Sequence, residues 1–215
     1  MQAYKILGVF TGRIKPLPNG EVSAIVKLPV EKLIIRKHGI YQDEVGDTKH
    51  HGGDMRVVHH YSFKNYNVLK EKFPEIAERF VPGSFGENII TEELTESELN
   101  IGDIYLLGTA KIQLTVSRRP CATLNHAYQD NRILKEVMES GRTGWFYQVL
   151  EEGEVKVGDF LRFLERPFPD MPVSRLYRQG YGRDRFTDFE FLKRCLNTGL
   201  MDKGWKPKIE MALQE

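Results

Sequence analysis

The feature that most constrains this chain is a change of pattern at three prolines. Up to about residue 165 the apolar residues come in short, β-rich or alternating runs. Past Pro167, Pro169 and Pro172 they come at helical spacing in pieces separated by glycines. Tyr4–Phe10, Val22–Leu28, Met55–His60, Phe85–Ile90, Ile104–Leu107, Lys111–Val116, Trp145–Leu150 and Asp159–Leu164 each fit a strand. Turn residues punctuate them, as Pro16, Pro18 and Asn19-Gly20 do between the first two. Ile101-Gly102-Asp103-Ile104-Tyr105 and Val157-Gly158-Asp159-Phe160-Leu161 both set a Gly-Asp turn directly before an apolar run. Helices interrupt at Phe63–Phe73, with Ser62 as N-cap, at Glu75–Phe80 behind Pro74, and at Asn131–Ser140, which stops at Gly141. Many short strands with few helices predict a mainly β unit, barrel- or sandwich-like, over residues 1–166. Residues 170–215, built on Val173–Arg178, Phe189–Leu196 and Lys208–Leu213, form a small helical unit too poor in apolar residues to stand alone.

Charge and cysteine content narrow the function. Lys+Arg 31 against Asp+Glu 30 leaves +1 over 215 residues, so no global field draws the chain to nucleic acid or anionic lipid. No run approaches the ~18 apolar residues of a membrane span. The opening MQAYKILGVFTGRIK turns charged before a secretory core can form. Cys121 and Cys195 are the only cysteines, which excludes Cys-rich zinc sites and iron–sulfur clusters and fits a reducing cytoplasm.

Three segments carry chemistry. In Ser117-Arg118-Arg119-Pro120-Cys121-Ala122-Thr123-Leu124-Asn125, a cysteine follows a good strand and sits beside two guanidinium groups. Neighbouring positive charge favours the thiolate, which is the nucleophile and the soft metal ligand among side chains, and paired arginines suit a phosphate. The alternative is a small buried Cys with two solvated arginines. In His50-His51-Gly52-Gly53-Asp54-Met55-Arg56, paired glycines let backbone N–H groups approach an anion. A zinc site from His50, His51, His59 and His60 is the rival, but adjacent residues of a strand face opposite ways. In Phe85-Gly86-Glu87-Asn88-Ile89, Glu87 or Asn88 faces either a cavity or water. A thiol hydrolase pair of Cys121 with His126 lacks a third member.

Taken in order, Ser23-Ala24-Ile25-Val26-Lys27, His51-Gly52-Gly53-Asp54-Met55-Arg56, His60-Tyr61, Phe85-Gly86-Glu87-Asn88, Thr95-Glu96, Ile101-Gly102-Asp103 and Arg119-Pro120-Cys121-Ala122-Thr123-Leu124-Asn125 resemble the MOSC family, the C-terminal domain of molybdenum-cofactor sulfurases. The whole chain lines up with its YiiM-type members, including Gly199-Leu200 and Lys203-Gly204-Trp205, which look like their short three-helix C-terminal domain. Ahead of HGG, where the family has a Gly-Asp step, Ile40-Tyr41-Gln42-Asp43-Glu44 keeps only the Asp. The Pro that often precedes the Arg-x-Pro-Cys block is here Ser117 or Arg118.

The resemblance implies a β-barrel-like fold and a molybdenum cofactor (molybdopterin) with Cys121 as the metal ligand. It assigns catalytic work to Cys121, His51 and Glu87, and cofactor binding to Lys27, Gly52, Gly53, Arg56, Asn88, Arg118, Arg119 and Asn125. It implies reduction of small N-hydroxylated substrates, such as 6-hydroxylaminopurine, with electrons from a separate flavin-containing reductase; the chain has no GxGxxG of its own. Pyridoxal phosphate belongs to another domain of full-length sulfurases, which nothing here resembles. The alternative is a sulfur or molybdopterin carrier that uses Cys121.

Overall fold

The computed structural model describes residues 2–183 and 185–214. In chain order the strands are β1 (Ala3–Lys5), β2 (Gly8–Thr11), β3 (Lys15–Pro16), β4 (Val22–Ser23), β5 (Leu28–Pro29), β6 (Lys32–Arg36), β7 (Gly39–Ile40) and β8 (Val58–Ser62). Helix α1 (Phe63–Lys72), β9 (Ile89–Thr91), β10 (Ile104–Leu107) and β11 (Ala110–Ser117) follow. Next come α2 (Thr123–Tyr128), α3 (Arg132–Ser140), β12 (Trp145–Glu151), β13 (Gly153–Lys156) and β14 (Phe160–Glu165). The chain ends in α4 (Val173–Tyr181), α5 (Phe189–Asn197) and α6 (Lys206–Ala212).

Nine strands form one sheet in the order β1-β14-β10-β11-β12-β8-β9-β2-β5, beside smaller sheets β13-β6-β7 and β3-β4. All pairs are antiparallel except β8 with β9. The ladder does not close on itself as the expected barrel would. It curls: β1 pairs with β14 near one end and β2 with β9 near the other, and only Ile6 and Leu7 separate them. The two Gly-Asp turns prove equivalent. Gly102 and Gly158 have φ of 88° and 92°, Asp103 and Asp159 each accept a backbone N–H from three residues upstream at 2.9 Å, and β10 and β14, which they precede, pair with each other.

Strand β11 delivers the Arg-Arg-Pro-Cys segment. Ala110, Ile112, Leu114 and Val116 alternate inward, and its last four residues are buried on both faces because helices cover them. One core cluster lies within the sheets, around Tyr105, Leu114 and Tyr147. A second, rich in aromatics, joins Tyr61, Tyr66, Phe85 and Tyr128 to α1, α2 and α3. Helix α3 joins it through Ile133 and Val137, one helical turn apart, and ends at Gly141 with φ 71°. The third cluster is shared: Leu176, Phe191, Leu192 and Trp205 of the tail pack with Ile101 and Val116 of the β-rich part. Each such large side chain contributes about 1.5–3 kcal/mol on burial.

Several sequence expectations change: Tyr4–Phe10 is broken at Ile6 and Leu7 into β1 and β2, and the helix expected at Glu75–Phe80 is a 3-10 segment, Pro74–Arg79. Val22–Leu28 is a strand only at its ends, β4 and β5. Met55–His60 opens as a 3-10 turn, Asp54–Arg56, before β8 begins at Val58. Phe85–Ile90 becomes a strand only at Ile89. Ser62 sits at the N-cap of α1, yet its hydroxyl donates to the Glu92 carbonyl and caps nothing.

Candidate functional site

The segments that fail as strands line one cavity of about 550 Å³, together with the end of β11. Its wall carries Lys27, His51, Gly52, Gly53, Arg56, Asn88, Arg118, Arg119 and Cys121, so all the predicted site residues but Glu87 and Asn125 converge.

The turn ahead of β8 sets one side. Gly52 and Gly53 have φ of 65° and 95°, a region other residues rarely adopt, and the bend they make turns Arg56 inward. Arg56 is buried, donates Nη1 to the His50 carbonyl at 3.1 Å, and has Nε 2.6 Å from Asp202 Oδ2. That last contact is ionic in character: the N–H does not point at the oxygen, and Nε lacks a hydrogen bond. Arg118 is buried with its guanidinium 4.9 Å over the Phe85 ring. Among the described residues, the buried side-chain nitrogens and oxygens without a hydrogen-bond partner are Arg56 Nε and Nη2, His59 Nε2, Ser117 Oγ, Arg118 Nη1 and Arg119 Nε. Four of these five residues line the cavity, and Ser117 adjoins Arg118. Buried polar groups are ordinarily satisfied, so a concentration of unmet guanidinium donors marks the place of an anion.

Cys121 lies partly buried on the same wall. Burial pushes its thiol up, but hydrogen bonding with His51, the Arg118 charge and hydrogen bonding with Thr123 outweigh that and bring it down to about 6. Cys121 is therefore mostly thiolate at neutral pH, as neighbouring cations predict. Arg119, expected to act equally, lies instead against Gly204. His126 turns away and pairs with Glu21 at 2.8 Å, so no Cys121–His126 pair forms. Cys195 is fully buried in the tail, where burial pushes it up to about 12.

On the same cavity Lys27 pairs with Asp43 at 2.5 Å, both almost fully buried. Burial lowers the Lys27 pKa, and the Asp43 charge opposes this. Asp43 also accepts from Gly12 N at 2.7 Å and from Asn88 Nδ2 at 2.8 Å. Both amide donors of Asn88 are committed, to Asp43 and the Phe10 carbonyl, and its Oδ1 accepts from His59 N. Asn88 thus frames the wall more than it offers itself to a ligand.

Glu87 is displaced from the expected catalytic position. Its carboxylate is fully buried behind the wall and accepts from Gly83 N, Phe85 N and the Tyr66 hydroxyl, bracing the turn before β9. Burial raises its pKa against those bonds. Asn125 instead ties α2 to α3: its Oδ1 accepts from Leu134 N at 2.7 Å, and its amide donates to the Asn131 carbonyl. Nothing in the sequence singles out Asp202; His59 enters there only in the zinc alternative, and Asp43 only as the remnant of a family pattern. His59 is buried on the cavity wall with Nε2 unpaired, and burial holds it well below the ordinary histidine range, hence neutral. His60 is a core histidine bonded to Tyr147 and Thr91, pushed by burial to about 3. No group of three or more His, Cys, Asp or Glu among the described residues is arranged to hold a metal ion.

A cysteine held toward the thiolate and unpaired arginines share one cavity, and the sequence carrying them matches a known family: the chain belongs to the MOSC domain family, whose model matches residues 47–162. It is similar to protein YiiM of Escherichia coli strain K12, with 38% identity over 198 residues, 92% of this chain and 87% of that one. Its fold superposes on the crystal structure of E. coli YiiM with a TM-score of 0.81, at 27% identity in the structural alignment, over 100% of this chain and 94% of that one. A protein of Gibberella moniliformis named Reductase is 32% identical over 201 residues, 92% of this chain but only 35% of that longer protein. Among the described residues no helix is long and apolar enough to cross a membrane.

Proposed function

We propose that the cavity holds a molybdenum cofactor and that the protein reduces small N-hydroxylated compounds, such as 6-hydroxylaminopurine, with electrons from a separate flavin-containing reductase. The observation that carries this reading is the set of unpaired guanidinium donors beside a cysteine held as thiolate. Arg56, Arg118 and Arg119 suit the pterin's phosphate, with the Gly52 and Gly53 backbone at the same wall. Cys121 suits a soft metal. Bound there, the cofactor supplies two-electron redox chemistry. Reduction of an N–OH to N–H consumes two electrons and two protons and releases water. His51, exposed and hydrogen-bonded with Cys121, is placed to pass protons between solvent and the reacting atoms. Lys27 completes that wall as a buried ion pair with Asp43. Neutral His59 offers an acceptor or donor nitrogen to the substrate. The length of the reductase from G. moniliformis supports a donor in trans, since this chain corresponds to about a third of it. The reaction is placed in the cytoplasm, where unpaired thiols stay reduced.

A sulfur or molybdopterin carrier needs only an accessible cysteine, whereas Cys121 shares a 550 Å³ cavity with three arginines and a buried histidine. The test is molybdenum content of wild type and Cys121→Ala from a cofactor-competent host, together with turnover of 6-hydroxylaminopurine using reduced methyl viologen. Metal and turnover in the wild type, and neither in the variant, are expected. Equal molybdenum in both proteins removes the ligand assignment. Loaded protein without turnover favours the carrier.

A further inference from the structure

Four consecutive tail residues reach the cavity wall in ways that packing a helix on a sheet does not require. Asp202 is 4% exposed; its Oδ2 lies 2.6 Å from Arg56 Nε, while Oδ1 accepts from Gly204 N and Trp205 N, both at 2.7 Å. One carboxylate thus fixes the turn into α6 and holds Arg56. Lys203 donates Nζ to the carbonyls of Thr48 at 2.5 Å and His51 at 3.1 Å, tying down the turn that bears Gly52 and Gly53. Gly204 is pressed against Arg119: a Cβ there would sit 2.0 Å from Nη2 and 2.2 Å from Cζ. Trp205 donates its indole N–H to the carbonyl of Ser117 at 3.1 Å, immediately before Arg118.

We propose that the corner Asp202–Trp205 is a working part of the anion site: it aims Arg56 and Arg119 and reserves the space the Arg119 guanidinium occupies. This rests on the reading of the cavity as the seat of a phosphate-bearing ligand. Asp202, Lys203 and Gly204 are positioning residues that act through Arg56, the glycine turn and Arg119. The tail therefore completes the site. The geometry makes one specific demand. Gly204 lies outside the positive-φ region, so alanine suits its backbone, but the methyl group takes the guanidinium's place. The displaced atoms end a flexible side chain, so the fold yields by moving Arg119 away.

The experiment titrates inorganic phosphate by calorimetry, at low ionic strength, into full-length cofactor-free wild type, Arg119→Ala, Gly204→Ala and the double variant. Losing one charge-assisted contact weakens phosphate about tenfold in Arg119→Ala. Gly204→Ala is expected to lose about as much with its melting temperature nearly unchanged, and the double variant to be no weaker than Arg119→Ala, because both changes remove the same contact. If Arg119→Ala binds phosphate like the wild type, the anion reading fails and this inference with it. If Arg119→Ala is weakened while Gly204→Ala is not, or if the two losses add, the anion site stands and the role of the corner is overturned. Should Gly204→Ala not fold, Lys203→Met removes an exposed side chain instead. It is expected to speed amide exchange across residues 48–53 and to weaken phosphate several-fold; unchanged exchange overturns the proposal equally.

Discussion

In cofactor-free protein the Cys121 thiol should titrate near pH 6, and removing His51 should abolish that. The fall from the ordinary value of 9.0 to about 6 is worth on the order of 4 kcal/mol in favour of the thiolate. Burial works against it, so His51, Arg118 and Thr123 together supply more than this net figure. His51→Ala should move the midpoint up toward the ordinary thiol range, and combining it with Arg118→Met should carry it beyond, because burial is then opposed by little more than Thr123. The assay is the rate of iodoacetamide alkylation from pH 4.5 to 9. Cys195 stays silent, since it is fully buried and pushed up to about 12; Cys195→Ser serves as the control. The same linkage acts on stability. With the folded pKa below the unfolded one, the unfolded chain binds more protons between about pH 6 and 9. Stability then rises with pH through that window, and the contribution is lost as pH falls through 6. A wild-type midpoint at about 8.5, or one that ignores His51→Ala, would refute the electrostatic account.

Asp43→Ala should cost about 3–5 kcal/mol in denaturant unfolding, because it leaves Lys27 buried and uncompensated, and adding Lys27→Met should return much of the loss. Equal instability of the single and double variants would mean that Asp43 acts through Gly12 and Asn88 alone. Glu87→Gln should lower stability by about 1–3 kcal/mol, since an amide cannot accept from both Gly83 N and Phe85 N, yet leave phosphate affinity unchanged. Loss of affinity at full stability would restore Glu87 to the cavity wall.

How far the sequence could be read depended on what each segment packs against. Strands β10, β11, β12 and β14 were legible within a residue or two because strand neighbours bury their apolar residues at a period of two. Val22–Leu28 and Phe85–Ile90 carry the same residue types but face a cavity; a Ser23 side-chain bond serves the first, and bonds to Asn88 and Glu87 the second, in place of a full ladder. Apolar spacing cannot tell these cases apart. Strands β6 and β13 were missed because they pair with each other across more than a hundred residues, and β7 because it is a two-residue return of the chain on β6. Cys121, Arg56 and the glycine turn were legible because residue type alone limits their chemistry. Asp202 and Lys203 were not: a carboxylate and the amine next to it, 152 residues from His51, look like a solvated turn until the tail folds back.

The unpaired donors also bear on why the fold keeps this arrangement. A buried donor left without a partner costs roughly 1–3 kcal/mol, more when charged, and six such atoms sit at or beside one cavity while the rest of the described interior is satisfied. Natural sequences remove such costs wherever nothing opposes it. Here Asp43 neutralises Lys27 and Asp202 faces Arg56, so the chain has the means to pair its buried cations, yet Arg118 Nη1, Arg119 Nε and Arg56 Nη2 stay free. The carboxylates that line the cavity are engaged elsewhere: Glu21 with His126, Asp43 with Lys27, Glu44 with Arg13 and Asp47 with His50. None of them meets these three guanidinium atoms, which stay open to an anion beside a cysteine that His51 and Arg118 hold toward the thiolate.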